Sequence, residues 1–282
     1  MSRDGVSWGR VPAADGVLFE GPRWIAEAGV FQWVDILSAT VHRWDPYGSD
    51  PSENRETGLE FATVALPLDA DRMLIGSRSS LHVYSWRDRT LETVGEWDFP
   101  PDVRFNDGAV APGGEVYIGS MSMERRKGAA ALYRFDLTSR SLTVVADSVG
   151  ISNGLHWDSA SSGYYIDSLE PRIDRVTVAD GQLDRRLWLE LAHDDEPDGL
   201  TVAADGSVVV AMWGGSRLVV ATPARDLRAV PVPALFPTSV AFGGVDGELV
   251  LVTAAAGDHG EDAPARILVG ATAELLEAGG SS

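Results

Sequence analysis

The sequence predicts an all-β chain, a six-bladed β-propeller with four-stranded blades, forming a single domain over residues 1–282. Three observations predict it. Short apolar stretches rich in β-branched and aromatic residues recur along the chain: "VFQWVDI", "MLIGSR", "EVYIGSM", "GYYIDS", "SVVVAMW" and "ELVLVTAA". Each follows a Gly, Asp or Ala turn cluster, which is the pattern of a strand entered from a turn. The residues that open the repeats, Glu20, Thr63, Asn106, Asn153, Asp198 and Thr238, lie 43, 43, 47, 45 and 40 residues apart. A period of that size with about four strands per unit marks a propeller.

The elements follow in order. After the first strands comes a second hairpin in most repeats: "LHVYSWRDRTLETVGEW", "ALYRFDLTSRSLTVVAD", "RIDRVTVADGQLDRRLWLEL" and "SRLVVATPARDLRAVPVP". The Pro-, Gly-, Ser- and Asp-rich stretch from Tyr47 to Gly58 reads as a loop inside the first blade. The last blade needs strands from both ends of the chain, "ARILVG" near Arg266 and "VSWGRV" near Val6, a closure that protects the sheet edges. Helical periodicity is scarce, with one short turn expected near Glu274–Glu277. Two sandwiches of ~100–150 residues would need a linker between them. No shift in composition supplies one.

Composition narrows the function. The chain has 282 residues, 44% of them hydrophobic, enough for a sizeable core. It has no cysteine, which excludes disulfides, thiolate ligands and a cysteine nucleophile. With 23 Lys and Arg against 42 Asp and Glu, the net charge of −19 argues against nucleic acid or an anionic membrane as partner. No stretch approaches the ~20 apolar residues of a membrane span, and a cytoplasmic location is expected. No Gly-x-Ser-x-Gly elbow is present, and "GVDGE" and "AADGS" read as hairpin turns, not calcium loops.

In a propeller the first strand of each blade lies nearest the axis, so residues that open these strands converge at one end of the channel. Four of them carry oxygen donors: Glu20 in "FEGPRW", Asn106 in "VRFNDG", Asn153 in "ISNGLHW" and Asp198 in "EPDGL". Taken singly, Asn or Asp before Gly is turn chemistry. Taken together at equivalent positions, two carboxylates and two amides read as a site in the central channel for one divalent metal ion. Oxygen-only donors favour a hard ion, calcium, magnesium or manganese, with zinc left open. Arg104 either contacts substrate or neutralises Asp102 or Asp107. His193 reads as loop polarity near the site and His156 as packed or surface. Trp24, Trp33, Trp157 and Trp213 read as blade packing.

These motifs, with "YYIDS", "RIDRV" and "PTSVAFGG" in the same order, make the chain resemble the regucalcin (senescence marker protein)/gluconolactonase/luciferin-regenerating-enzyme family from roughly Gly16 to Ala256. The resemblance implies a six-bladed propeller with one channel metal and hydrolysis of a small-molecule sugar lactone. It implies metal ligation by Glu20, Asn153 and Asp198 with Asn106 close by. It further implies substrate contacts from Arg104, Asn106 and, on a looser match in "GSMSMERR", Glu124. Asp198 is the expected catalytic base, with activation of the water by the metal itself as the competing route. Two other functions stay open: a metal-dependent phosphotriesterase or aryl esterase on the same site, and a non-catalytic calcium-binding propeller.

Overall fold

The computed structural model describes residues 5–12, 15–50, 52–257 and 264–277. It contains six antiparallel four-stranded sheets arranged as blades of a β-propeller. The inner strands, in chain order, are Phe19–Ile25, Val64–Pro67, Val103–Val110, Ser152–Trp157, Pro197–Val202 and Phe236–Gly243. Each lies beside the next around the axis, and the last lies beside the first, so the ring is closed. Blades 1 to 5 each run outward from the inner strand without a crossover. In blade 6 the outermost strand is Gly9–Arg10, paired to Arg266–Ala271, as expected from the two chain ends. The threonine that opens blade 6, Thr238, ties the seam through its Oγ1, which donates to the Phe19 carbonyl at 2.6 Å. A short helix, Thr272–Glu277, follows the last strand.

The core explains why the middle strands read as unbroken apolar runs. Among the described residues it divides into six clusters, and each spans the interface between two adjacent blades. A blade packs on both faces, so a strand such as Val208–Met212 is buried at every position. The outer strands face solvent and return to mixed patterns, as in Gln182–Glu190. One sequence expectation changes here. The Tyr47–Gly58 stretch is not only a loop, because Glu53–Glu56 within it forms the outer strand of blade 1. Its polar letters hid the strand because an outermost strand has little apolar surface to bury.

Phe19, the residue before Glu20, packs on an aromatic stack. The ring of His42 lies parallel to Trp33 with centroids 5.4 Å apart and meets the edge of Phe19, the neighbour of Glu20, at 5.4 Å. Burial pushes the His42 imidazole down to about 4, with Asp35 opposing the shift. The folded state therefore prefers neutral His42. Its contribution is fully present above the unfolded value near 6.5 and is lost as pH falls towards the folded value near 4. Urea unfolding of His42→Phe between pH 7 and 4 should lose less stability than the unmodified chain, by about 3 kcal/mol. Equal losses in both chains would mean that His42 is charged in the fold.

Candidate functional site

The inner strands carry the site through a shared irregularity. In five of the six blades the inner strand gains one extra residue relative to its neighbour. The register shifts fall between Glu20 and Arg23, Phe105 and Gly108, Ser152 and Leu155, Pro197 and Leu200, and Pro237 and Ser239. Asn106, Asn153 and Asp198 sit inside these bulges, and Glu20 sits at the edge of one. The Asx-Gly pairs that look like turns in the sequence are therefore β-bulges, which re-aim a side chain out of the pleat. Glycine is required here by close approach as well. A Cβ on Gly154 would lie 2.7 Å from both Asp198 O and Leu200 N of the neighbouring blade.

Two buried aspartates fix the segments that enter these bulges. Asp35, at the end of the second strand of blade 1, accepts from Val17 N at 2.9 Å and Leu18 N at 3.0 Å. Asp167 occupies the same place in blade 4 and accepts from Gly150 N and Ile151 N, both at 2.9 Å. Each carboxylate thus holds the backbone two residues ahead of a site residue, Glu20 or Asn153. The sequence shows the device as the shared "ID" or "VD" that ends the second strand, but not what it binds.

The result is a cavity of 160 Å³ at one end of the channel, lined by Glu20, Arg104, Asn106, Asn153, Ser168 and Asp198. The four oxygen-donor residues are 9%, 6%, 7% and 4% exposed for Glu20, Asn106, Asn153 and Asp198. Asn106 is engaged twice: its Oδ1 accepts from Arg104 Nη1 at 2.8 Å and its Nδ2 donates to Ser152 O at 3.0 Å. Asn153 Nδ2 donates to Ser168 Oγ at 3.0 Å. Asn153 Oδ1 and Asp198 Oδ1, by contrast, are buried with no hydrogen-bond partner. Arg104 pairs with neither Asp102 nor Asp107. It donates to Phe105 O at 2.8 Å and to Asn106, while Asp102 pairs with Arg126 and Asp107 with Arg23.

Charge in this cavity is not balanced by the chain alone. Burial and then the Asp107 charge push the Glu20 carboxyl up to about 8, against the Gly21 N–H, Arg23 and Arg104. Burial, then Glu20 and Asp107, raise Asp198 well above the usual carboxylate range. Burial brings Arg104 down to about 10, opposed by Glu20 and Asp198, so it stays cationic at neutral pH. An orphaned amide oxygen beside two carboxylates, one of which has an orphaned oxygen of its own, is the donor set a hard cation takes. Among the described residues no group of three or more His, Cys, Asp or Glu is placed to hold a metal, so amide oxygens must complete such a set.

Glu124 is not brought to the cavity. It lies in the turn after Val116–Ser122 with its side chain 70% exposed, 3.6 Å from Arg126. The next residue, Arg125, lines the cavity instead, as does Glu196. His193 is fully exposed and meets Asp194. Trp213 is not a strand residue between blades. It follows Val208–Met212, lines the cavity and contacts Phe236 at 5.1 Å between centroids. Leu18, Ile36, Met121 and Ile151 complete an apolar wall that no motif signals. A second cavity of 350 Å³ lies at residues further along the inner strands, lined by Trp24, His156, Trp157 and Phe242 among others, and it holds no carboxylate.

Residues 18–256 match the family described as SMP-30/Gluconolactonase/LRE-like region, and the chain belongs to that family. It is 34% identical over 248 residues to "Putative sugar lactone lactonase YvrE" of Bacillus subtilis, covering 85% of this chain and 84% of that one. It is 32% identical over 249 residues to pentonolactonase XacC of Haloferax volcanii, covering 86% and 82%. Among solved structures, the calcium-binding protein regucalcin of Agrobacterium tumefaciens superposes with a TM-score of 0.84 at 22% identity, covering 95% of each chain.

Asp167 tests how the bulge of blade 4 is held. Asp167→Ala leaves the Gly150 and Ile151 N–H groups unpaired and should cost about 3 kcal/mol in urea unfolding. Asp167→Asn, which keeps one acceptor oxygen, should cost about half as much. Identical stability of both variants and the unmodified chain would show that the segment is held by other contacts.

Proposed function

We propose that the chain is a lactonase, a metal-dependent hydrolase that opens a sugar lactone to the aldonic acid. One observation carries this reading: Asn153 Oδ1 and Asp198 Oδ1 are buried and unpartnered in a cavity that also holds Glu20 and the cationic Arg104. The relatives named as a putative sugar lactone lactonase and a pentonolactonase support the substrate class. Glu20, Asn153 and Asp198 would hold the ion, calcium first, with magnesium, manganese or zinc as alternatives. Asn106 offers less, because its oxygen already accepts from Arg104. When bound, the cation supplies Lewis-acid polarisation of the lactone carbonyl and a counter-charge for the two carboxylates.

The chain's own residues supply the rest. Asp198 accepts a proton from the attacking water as the new C–O bond forms at the carbonyl carbon. The ring C–O bond then breaks, and the same proton passes from Asp198 to the departing alkoxide, which leaves as the alcohol. Burial and the Glu20 charge raise the Asp198 carboxyl in the ion-free chain, and a bound cation would lower it again. Arg104 and Asn106, locked to each other, orient the ring hydroxyls and limit the poses the lactone can take. The apolar wall of Leu18, Ile36, Met121, Ile151 and Trp213 favours one second reading, an aryl esterase or phosphotriesterase on the same residues.

Acid release from glucono-1,5-lactone, corrected for spontaneous opening, should vanish on chelation and return with one added ion. Asp198→Asn should lower kcat about a thousandfold while the melting curve keeps its cooperativity. Retained turnover in that variant removes Asp198 from the mechanism, and turnover of aryl esters alone installs the second reading. Binding of the ion at pH 7 should expel about one proton, because the raised Glu20–Asp198 pair is partly protonated without it. Calorimetry in buffers of different ionisation enthalpy measures this. Binding with no proton release would show that both carboxylates are already ionised.

A further inference from the structure

Two charged side chains line the cavity but take no part in the reaction above. Arg125 comes from the turn that follows Val116–Ser122 in blade 3, and Glu196 immediately precedes the inner strand of blade 5. Blade 4 lies between them, yet Arg125 Nη1 donates to Glu196 Oε1 at 2.7 Å. The pair therefore bridges two loops across the mouth. Its depth differs from that of the site residues: the Arg125 side chain is 50% exposed and that of Glu196 29%, against single-digit values on the floor. A lactone whose carbonyl reaches Asp198 must point its far end at this rim.

Both loops are anchored below the pair. Arg125 N donates to Ser122 O at 2.9 Å, and Asp102 holds the same turn through Ser122 Oγ at 2.8 Å and Arg126 Nη2 at 2.5 Å. Glu196 O accepts from Trp213 N at 3.0 Å, and its neighbour Asp195 is paired with Arg217. The mutual bond does not build the fold, since an exposed ion pair contributes about 0–1 kcal/mol. It leaves most of the bonding capacity free. Among the described residues the guanidinium uses one of its donors on Glu196, and no hydrogen bond is made by Glu196 Oε2. A planar donor fork beside a carboxylate acceptor matches neighbouring hydroxyls, each of which both donates and accepts.

The geometry points to Arg125 and Glu196 as the residues that select the substrate's tail, binding the hydroxyls furthest from the ester and favouring hydroxylated lactones over bare ones. This rests on the lactonase reading and adds to it the determinant of selectivity. It also explains why Glu124, the neighbour of Arg125, is spare: the turn aims the following side chain at the mouth.

The test compares kcat/KM for glucono-1,5-lactone with that for δ-valerolactone, which has the ring without hydroxyls. In Arg125→Ala and Glu196→Ala the ratio should fall roughly tenfold, chiefly through KM on the sugar lactone, because a hydrogen bond to a charged group is lost. Arg125→Lys, which keeps a donor, should recover part of it. A ratio within about twofold of the unmodified protein in both alanine variants overturns the assignment. So does an equal loss on both lactones, which would mark a general disturbance of the mouth. An unmodified protein that opens neither lactone with any ion overturns the lactonase reading and this inference with it.

Discussion

Two carboxylates, Glu20 and Asp198, are folded into one buried cavity, with the Arg104 guanidinium beside them and that of Arg125 at the rim. Like charges in a low-dielectric space cannot both ionise without compensation. Burial and neighbouring carboxylate charge raise both carboxyls, an imbalance that a bound cation would relieve. Hydrogen bonds hold the neighbouring amides in place around them. Asn153 is pinned through its amide nitrogen, so its oxygen faces the cavity. Asn106 is pinned at both ends and in turn holds Arg104.

The backbone makes this arrangement affordable. A regular inner strand would alternate its side chains between the two neighbouring blades, and both directions are apolar. The bulge breaks the alternation at one residue and turns that side chain to the axis. The cost falls on the ladder at one pair per blade, and the small residue after the bulge lets the next blade approach closely. Asp35 and Asp167 extend the same logic outward. They are buried, but backbone N–H groups satisfy them, so they hold position without drawing a metal.

A second charged pair links the inner strands of blades 1 and 3. Arg23 donates to Asp107 at 3.1 Å and to Gly108 O at 2.8 Å, and Asp107 also accepts from Gly108 N at 2.7 Å. The pair reaches the aromatic cavity lined by Trp24 and Trp157, where Arg23 is a wall residue. Its aspartate adds to the field that raises Glu20 and Asp198. One residue of the "NDG" motif, Asn106, therefore lines the cavity, and the next, Asp107, is paired with Arg23 outside that lining.

The repeat spacing determined the number of blades, and the residue types at the repeat openings singled out four oxygen-bearing side chains that line one cavity. Those signals are legible because they are local: a β-branched run after a turn, or an Asx beside Gly, carries the same meaning wherever the chain later places it. Tertiary structure decided which donors are free. The sequence cannot show that Asn106 spends its oxygen on Arg104 while Asn153 and Asp198 keep theirs, because side-chain direction at a bulge is set by the packing of the neighbouring blades. It also decided that Arg125 rather than Glu124 reaches the mouth, since one step along a turn reverses the direction of a side chain. Nor could sequence identify Glu196 as the partner of Arg125, a contact 71 residues apart that skips a blade. Residues marked by their own local motif were readable, and side-chain pairings between blades were not.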